Sequence, residues 1–213
     1  MGVTSDPIGL GLVASLAQPG GNVTGFSIIS PQLDTKRLAL LKEVLPDAKL
    51  VGVLINPASP VTGAQQLAPI GDAATAVGIE FVLGEVSSPD AISSAIDLLV
   101  ASRASALMVV GDAVFFNQRR LIVERAAADR LPGMYPEREY AEAGGLLAYG
   151  PSVPDNFRRA AGYVARILRG EKAGDLPVEQ PAKFELVINL KTAKAIGIAI
   201  PATMLARADK VIE

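Results

Sequence analysis

The sequence predicts an α/β chain built from parallel sheets with helices wound on both faces. Three observations predict it: apolar runs of strand length recur, segments with helical spacing of apolar residues fall between them, and Gly, Pro or Asn-Pro marks the junctions. The runs are near-continuously apolar, as strands buried on both faces of a sheet must be.

In chain order, residues 1–24 offer one helix, Ile8 to Ala17, and little else. Val23 to Ile29 (VTGFSII) reads as a strand weakened by Gly25. A helix follows in which Leu38, Leu41 and Leu45 share a face, opened by Asp34 and stopped by Pro46. Lys49 to Asn56 (KLVGVLIN) is a buried strand ended by Asn-Pro. Leu67, Ile70, Ala74 and Val77 form a second helical stripe with Gly78 as its C-cap, and Pro69 calls for a kink or a late start. Strand Ile79 to Val86 precedes a third helix that starts at Ser88-Pro89-Asp90 and turns Ile92, Ile96 and Leu99 inward. Strand Ala106 to Gly111, helix Phe116 to Arg130 and strand Leu146 to Tyr149 come next. In the last long helix, Asn156 to Arg169, an apolar stripe of Phe157, Ala161, Val164 and Leu168 is expected to face inward, and Gly170 ends it. Gly170 to Gln180 is a polar, Pro-containing connection before strand Phe184 to Asn189. Residues 34–149 thus supply four strands with covering helices, enough for one complete lobe, whereas residues 1–24 look like a fragment of a second sheet.

Composition narrows the chemistry. The chain has 213 residues, half of them apolar, with a net charge of −2, so the basic face of a nucleic-acid binder is not expected. It contains neither Cys nor His. That removes disulfides, thiol nucleophiles, the usual zinc sites and Ser–His dyads, and leaves carboxylate, lysine or tyrosine chemistry. No apolar run approaches the roughly 18 residues of a membrane-spanning helix. Residues 1–20 carry no Lys or Arg, and Asp6 interrupts their apolar stretch, so no signal peptide is expected in them.

Candidate functional residues cluster at strand ends. In open parallel sheets the ligand crevice lies beyond the carboxyl ends of the strands. Asn56, Asp112 and Tyr149 fall there, and Phe115 and Glu137 lie in the loops that follow. Asp112 offers a carboxylate to an ammonium or hydroxyl, and Phe115 a face for a flat ligand. Asp112 equally suits the N-cap of the helix starting near Val114, with the phenylalanines in the core. Pro136 to Tyr140 (PEREY) places two carboxylates, Glu137 and Glu139, in a position to act as acid and base, or simply in the solvated first turn of a helix. Gly9-Leu-Gly11-Leu-Val-Ala14 matches the dinucleotide fingerprint literally, but Asp6-Pro7 precedes it in place of a strand and no acidic residue caps the next strand. Arg158, Arg159, Arg166 and Arg169 read as a solvated helix face.

Several longer phrases carry a resemblance. GLVASLAQPGGNVTGFS (Gly11 to Ser27), KRLALLKEVLPDAKLVGVLINP (Lys36 to Pro57), LMVVGDAVFFNQRR (Leu107 to Arg120), EYAEAGGLLAYGPS (Glu139 to Ser152) and DLPVEQPAKFELVINLKTAKAIGIAIP (Asp175 to Pro201) run in order over nearly the whole chain. They resemble the ABC transporter substrate-binding family that includes tryptophan- and other aromatic amino-acid-binding members. The resemblance implies a type I periplasmic-binding-protein fold, with two doubly wound lobes and ligand in the cleft. It makes residues 1–30 plus 151–178 an incomplete first lobe, and 31–150 plus 179–213 a complete second one. It also implies that the chain enters at the last βα unit of the first lobe, with Ser5 and Asp6 at a strand end facing the cleft. A small organic solute, aromatic or amino-acid-like, is then the ligand and an ABC permease the partner. No cofactor is called for, no enzymatic role is expected, and the location is periplasmic or otherwise extracytoplasmic. An open sheet edge and an uncovered apolar face in the incomplete lobe would favour a homodimer. The competing readings are a nucleotide-dependent enzyme using Gly9 and Gly11, and a truncated remnant that binds nothing.

Overall fold

The computed structural model describes residues 3–4, 7–27, 31–59 and 67–213. In chain order its elements are β1 (Val3–Thr4), β2 (Phe26–Ser27), α1 (Pro31–Val44), β3 (Leu50–Ile55), α2 (Leu67–Ala76), β4 (Glu80–Glu85) and α3 (Ile92–Ala101). They continue with β5 (Ala106–Val109), α4 (Ala113–Asn117), α5 (Arg119–Ala128), β6 (Gly133–Tyr135), α6 (Arg138–Glu142) and β7 (Leu147–Pro151). The last are α7 (Val153–Leu168), β8 (Phe184–Asn189), α8 (Leu190–Ile196), α9 (Ala202–Leu205) and β9 (Lys210–Ile212). The chain divides into two compact units, Met1–Ser30 with Pro151–Phe184, and Pro31–Gly150 with Glu185–Glu213.

The larger unit is organised by a seven-stranded sheet in the order β4-β3-β5-β6-β7-β8-β9. The pairs β4–β3, β3–β5, β5–β6, β6–β7 and β8–β9 are parallel. At the β7–β8 junction the direction reverses: Asn189 N–H donates to Leu146 C=O at 2.9 Å, and Ser152 N–H to Lys183 C=O at 3.1 Å. Partners whose numbers rise on one strand as they fall on the other belong to an antiparallel pair. The sheet is therefore mixed, and mostly parallel.

Side chains alternate between its two faces with the period of two that a strand imposes. On β5, Ala106 and Met108 join a core with Leu38, Leu41, Ile70 and Met204, while Leu107 and Val109 join a second core with Ile92, Ile96 and Ile122. On β8, Leu186 and Ile188 go to the first core and Val187 to the second. Helices α1, α2, α8 and α9 thus cover one face, and α3, α5 and α6 the other. Strands β3 to β7 then all end at the same edge, which is where a doubly wound sheet gathers its loops, and β8 and β9 end at the opposite one.

Local signals explain most element ends. Gly78, at φ +65°, closes α2 as the spacing predicts, with Ile79 N–H donating back to Ala74 C=O at 2.8 Å. Gly170, at φ +102°, follows α7. Pro69 is tolerated because it sits in the first turn of α2, where its missing N–H has no intrahelical role. The helix expected over Phe116 to Arg130 starts earlier, at Ala113, and breaks at Gln118 into α4 and α5.

Two expectations fail in the smaller unit. Residues 8–17 form no helix: Leu12 and Val13 N–H both donate to Pro7 C=O, and Gly11 adopts φ +67°, so the segment closes as a turn. The α7 stripe does not face inward either. Phe157 is 58% exposed and Leu168 82%, whereas the covered side of the helix carries Asn156 and Tyr163. Tyr163 packs on Phe26 (5.5 Å between ring centroids), and its hydroxyl lies 2.8 Å from both Pro177 C=O and Glu179 Oε1, which share its one proton. The strongest polar signals therefore dock this helix and its apolar stripe is left outward.

Candidate ligand site at the carboxyl edge of the sheet

The end of β3 delivers Asn56, a buried amide. Its Nδ2 donates to Asp112 Oδ2 at 3.2 Å, and its Oδ1 accepts from Ala58 N–H at 3.1 Å. Asp112, beyond β5, has extended backbone, and its Oδ1 accepts from Val114 N–H at 2.7 Å. It is therefore the N-cap of α4, one of the two roles its sequence context allows. The cap and the Asn56 contact together fix the carboxylate in one orientation.

Phe115 lies one turn further and is fully buried in the second core, beside Ile122 and Tyr140. The ring offers no open face for stacking. The expectation that a flat ligand lies on it is corrected by simple packing: position 115 of α4 points at the sheet.

Glu137 follows β6 and is half-buried, with its carboxyl oxygen Oε2 shut off from solvent, unlike a fully solvated first-turn acid. It occupies the N-cap position of α6 but makes no side-chain cap. Its Oε2 has no hydrogen-bond partner. Burial pushes its pKa up to about 7, with Glu139 and Asp34 adding to the rise and Arg37 opposing it. A Cβ placed on Gly111 would lie 3.9 Å from Glu137 Oε1, so the carboxylate sits against the Gly111-Asp112 strand end. Glu139, whose Oε2 is also unpartnered, has its pKa raised chiefly by burial.

The residues that sequence reasoning missed are Asp34 and Arg37, both buried in the first turns of α1. Arg37 Nη1 pairs with Asp34 Oδ1 at 2.6 Å, Nε donates to Tyr149 C=O at 2.7 Å and Nη2 to Pro136 C=O at 3.2 Å. One guanidinium thus ties α1 to β7 and to the residue before Glu137. Asp34 Oδ2 is left unpartnered, and burial raises the Asp34 pKa against the pull of Arg37. The available signal was the i, i+3 spacing of Asp34 and Arg37, which places both on one helix face. In the sequence Asp34 marks only a helix start.

Tyr149 joins this group through its carbonyl, and its half-buried side chain packs on the first core. The backbone is tight there: a Cβ on Gly150 would come within 1.8 Å of Pro136 C=O and 3.3 Å of Arg37 Nη2. Asn56, Asp112, Glu137 and Tyr149 thus all lie at the carboxyl edge, with Asn56 and Asp112 in direct contact. Ser5 and Asp6 lie outside the described residues.

Among the described residues no group of three or more acidic side chains is placed to hold a metal ion. The glycine pair fails as a nucleotide site, since Gly9 and Gly11 lie in a turn that opens no helix. The smaller unit has its own concavity of about 460 Å3 between Phe26 and the outward side of α7 (Phe157, Val164, Ile167), with no charged residue in its lining.

The model of the family described as ABC transporter substrate binding protein matches residues 1–212. The chain belongs to that family. It is 31% identical over 198 residues to a tyrosine-binding protein of Clostridioides difficile (strain R20291), which covers 93% of this chain and 56% of the relative. The chain therefore spans little more than half the length of that relative. Among solved structures it is similar to the ABC domain in complex with L-tryptophan from Streptococcus pneumoniae, at 28% identity and TM-score 0.88, covering all of this chain and 72% of that one. It is similar as well to a conserved domain protein of Vibrio cholerae, at 30% identity and TM-score 0.87, covering 97% of this chain and 69% of that one. The fold is the type I periplasmic-binding-protein fold shared by these relatives, and no helix among the described residues is long and apolar enough to cross a membrane.

Proposed function

We propose that this chain serves the capture of a small organic solute, aromatic or amino-acid-like, for an ABC importer. The observation that carries the reading is the convergence of Asn56, Asp112 and Glu137 at the carboxyl edge of the sheet in a chain of this family. Relatives whose names record tyrosine binding and an L-tryptophan complex support the choice of solute class. The ligand contacts we assign are Asn56, Asp112, Glu137 and Tyr149, with Ser5 and Asp6 belonging to the same assignment. Phe115 contributes by holding the α4 start in place and not by stacking. Nothing in the proposed role is catalytic. The permease is the partner, the site of action is extracytoplasmic, and the exposed apolar side of α7 is the surface for a homodimer.

Calorimetric titration with tyrosine, tryptophan and phenylalanine, with ribose and NAD as controls, tests the reading. Saturable binding of at least one aromatic amino acid, with no heat from NAD, is expected. Binding of NAD alone, or of no aromatic amino acid, would remove the reading.

A further inference from the structure

The ladder between β6 and β7 stops at the pair Tyr135–Ala148. Pro136, the next residue on β6, has no N–H with which to continue it. Just past that point a guanidinium takes over: Arg37 Nη2 donates to Pro136 C=O at 3.2 Å and Nε to Tyr149 C=O at 2.7 Å. Its Nη1 pairs with Asp34 Oδ1 at 2.6 Å, which fixes the plane of the group from the same helix face. The surroundings are close-packed, since a Cβ on Gly150 would meet Pro136 C=O at 1.8 Å and Arg37 Nη2 at 3.3 Å. Arg37 is only 4% exposed, so it is placed to hold the edge and not to meet a solute.

From this we infer that Arg37 is a positioning residue of the ligand site: its fork replaces the missing ladder and sets the spacing between the Glu137 turn and the end of β7. The inference rests on the solute-capture reading and adds to it a residue that acts without touching the solute. A planar guanidinium holds its donors at fixed angles and reaches two carbonyls and a carboxylate at once. An ammonium gathers its donors on a single atom and cannot reproduce that fork. Arg37 also brings charge to Glu137. The groups facing Glu137 are Arg37 and Asp34 from α1, with Glu139 and the Tyr140 phenol from α6. Of these Arg37 favours the ionised form. Position and charge are thus two separable contributions of one side chain.

The test separates them. Arg37→Lys keeps the cation and loses the fork. Asp34→Leu combined with Arg37→Met removes both charges together, and a buried ion pair replaced by apolar side chains commonly leaves a fold intact. Wild type and both variants are titrated with L-tryptophan by calorimetry, and the ligand-free Glu137 carboxyl is titrated by carbon NMR. Both variants should bind tryptophan about tenfold or more weakly than wild type, because the edge is no longer held at its spacing. The Glu137 midpoint should stay near the wild-type value in Arg37→Lys. It should rise in the double variant, where the stronger of the two removed influences, that of Arg37, is gone. Wild-type affinity in either variant overturns the inference and leaves solute capture standing. So does weakened binding in the double variant with an unmoved Glu137 midpoint, the mark of general loosening. Should the double variant not fold, Arg37→Lys decides alone. Silence of the wild type toward tryptophan, tyrosine and phenylalanine removes solute capture, and the positioning role with it.

Discussion

Glu137 shows how a single carboxyl can work against the fold that holds it. Its pKa is about 7 in the folded chain against an ordinary value of 4.5, and burial is the first cause. Between those values the folded state holds a proton that the unfolded state has released. The associated stability is therefore present in full below pH 4.5 and lost as the pH rises through 7. The difference is on the order of 3 kcal/mol. Glu137→Gln, which cannot ionise, should unfold at higher denaturant concentration than wild type at pH 8 and at nearly the same concentration at pH 4.5. Urea titrations at the two pH values measure this, and equal gains at both would show that ionisation is not the cause. Glu137 was legible as a candidate site residue but its burial was not, and Arg37 was not legible at all. Glu137 sits in PEREY, a sequence that also suits a solvated helix start, and only tertiary burial decides between the two. Arg37 finds Tyr149 and Pro136 roughly a hundred residues away, contacts that no local pattern encodes.

At the scale of elements, α4 depends on its cap. Asp112→Ala removes the acceptor for Val114 N–H and the partner of Asn56, and should destabilise by about 1–2 kcal/mol. Asp112→Asn keeps the capping oxygen and should recover most of that loss, as chemical denaturation of the two variants would register. Strands β3, β5 and β8 were legible because each is an apolar run bounded by breakers, and burial on both faces leaves that signature intact; β4, a half-exposed edge strand, keeps enough of the run to read the same way. Strand β6 was not, since Gly133–Tyr135 is three residues long and its Tyr135 ring needs the bare backbone of Gly133 and Gly145 beside it. The false helix over residues 8–17 has a similar lesson. Its apolar spacing was real, but Gly11 in the left-handed region converts the segment to a turn.

For the whole molecule the exposed side of α7 has the clearest physical consequence. Phe157, Val164, Ile167 and Leu168 present contiguous apolar surface beside a concavity with no charged lining. Surfaces of this kind drive association in water. Sedimentation velocity should show concentration-dependent self-association of the chain, and Phe157→Ser with Leu168→Ser should reduce it without changing its circular dichroism. A monomer at all concentrations would assign the patch no such role. The same unit offers the main rival location for a ligand, because its concavity suits an apolar guest, while the carboxyl edge of the larger unit suits a charged one.

Backbone-amide NMR of the chain titrated with L-tryptophan tests the central claim most directly. The account predicts that the largest shift changes fall on Asn56, Asp112, Val114, Glu137 and Tyr149. Changes confined to Phe26, Phe157, Val164 and their neighbours would contradict it, as would an unchanged spectrum at saturating ligand.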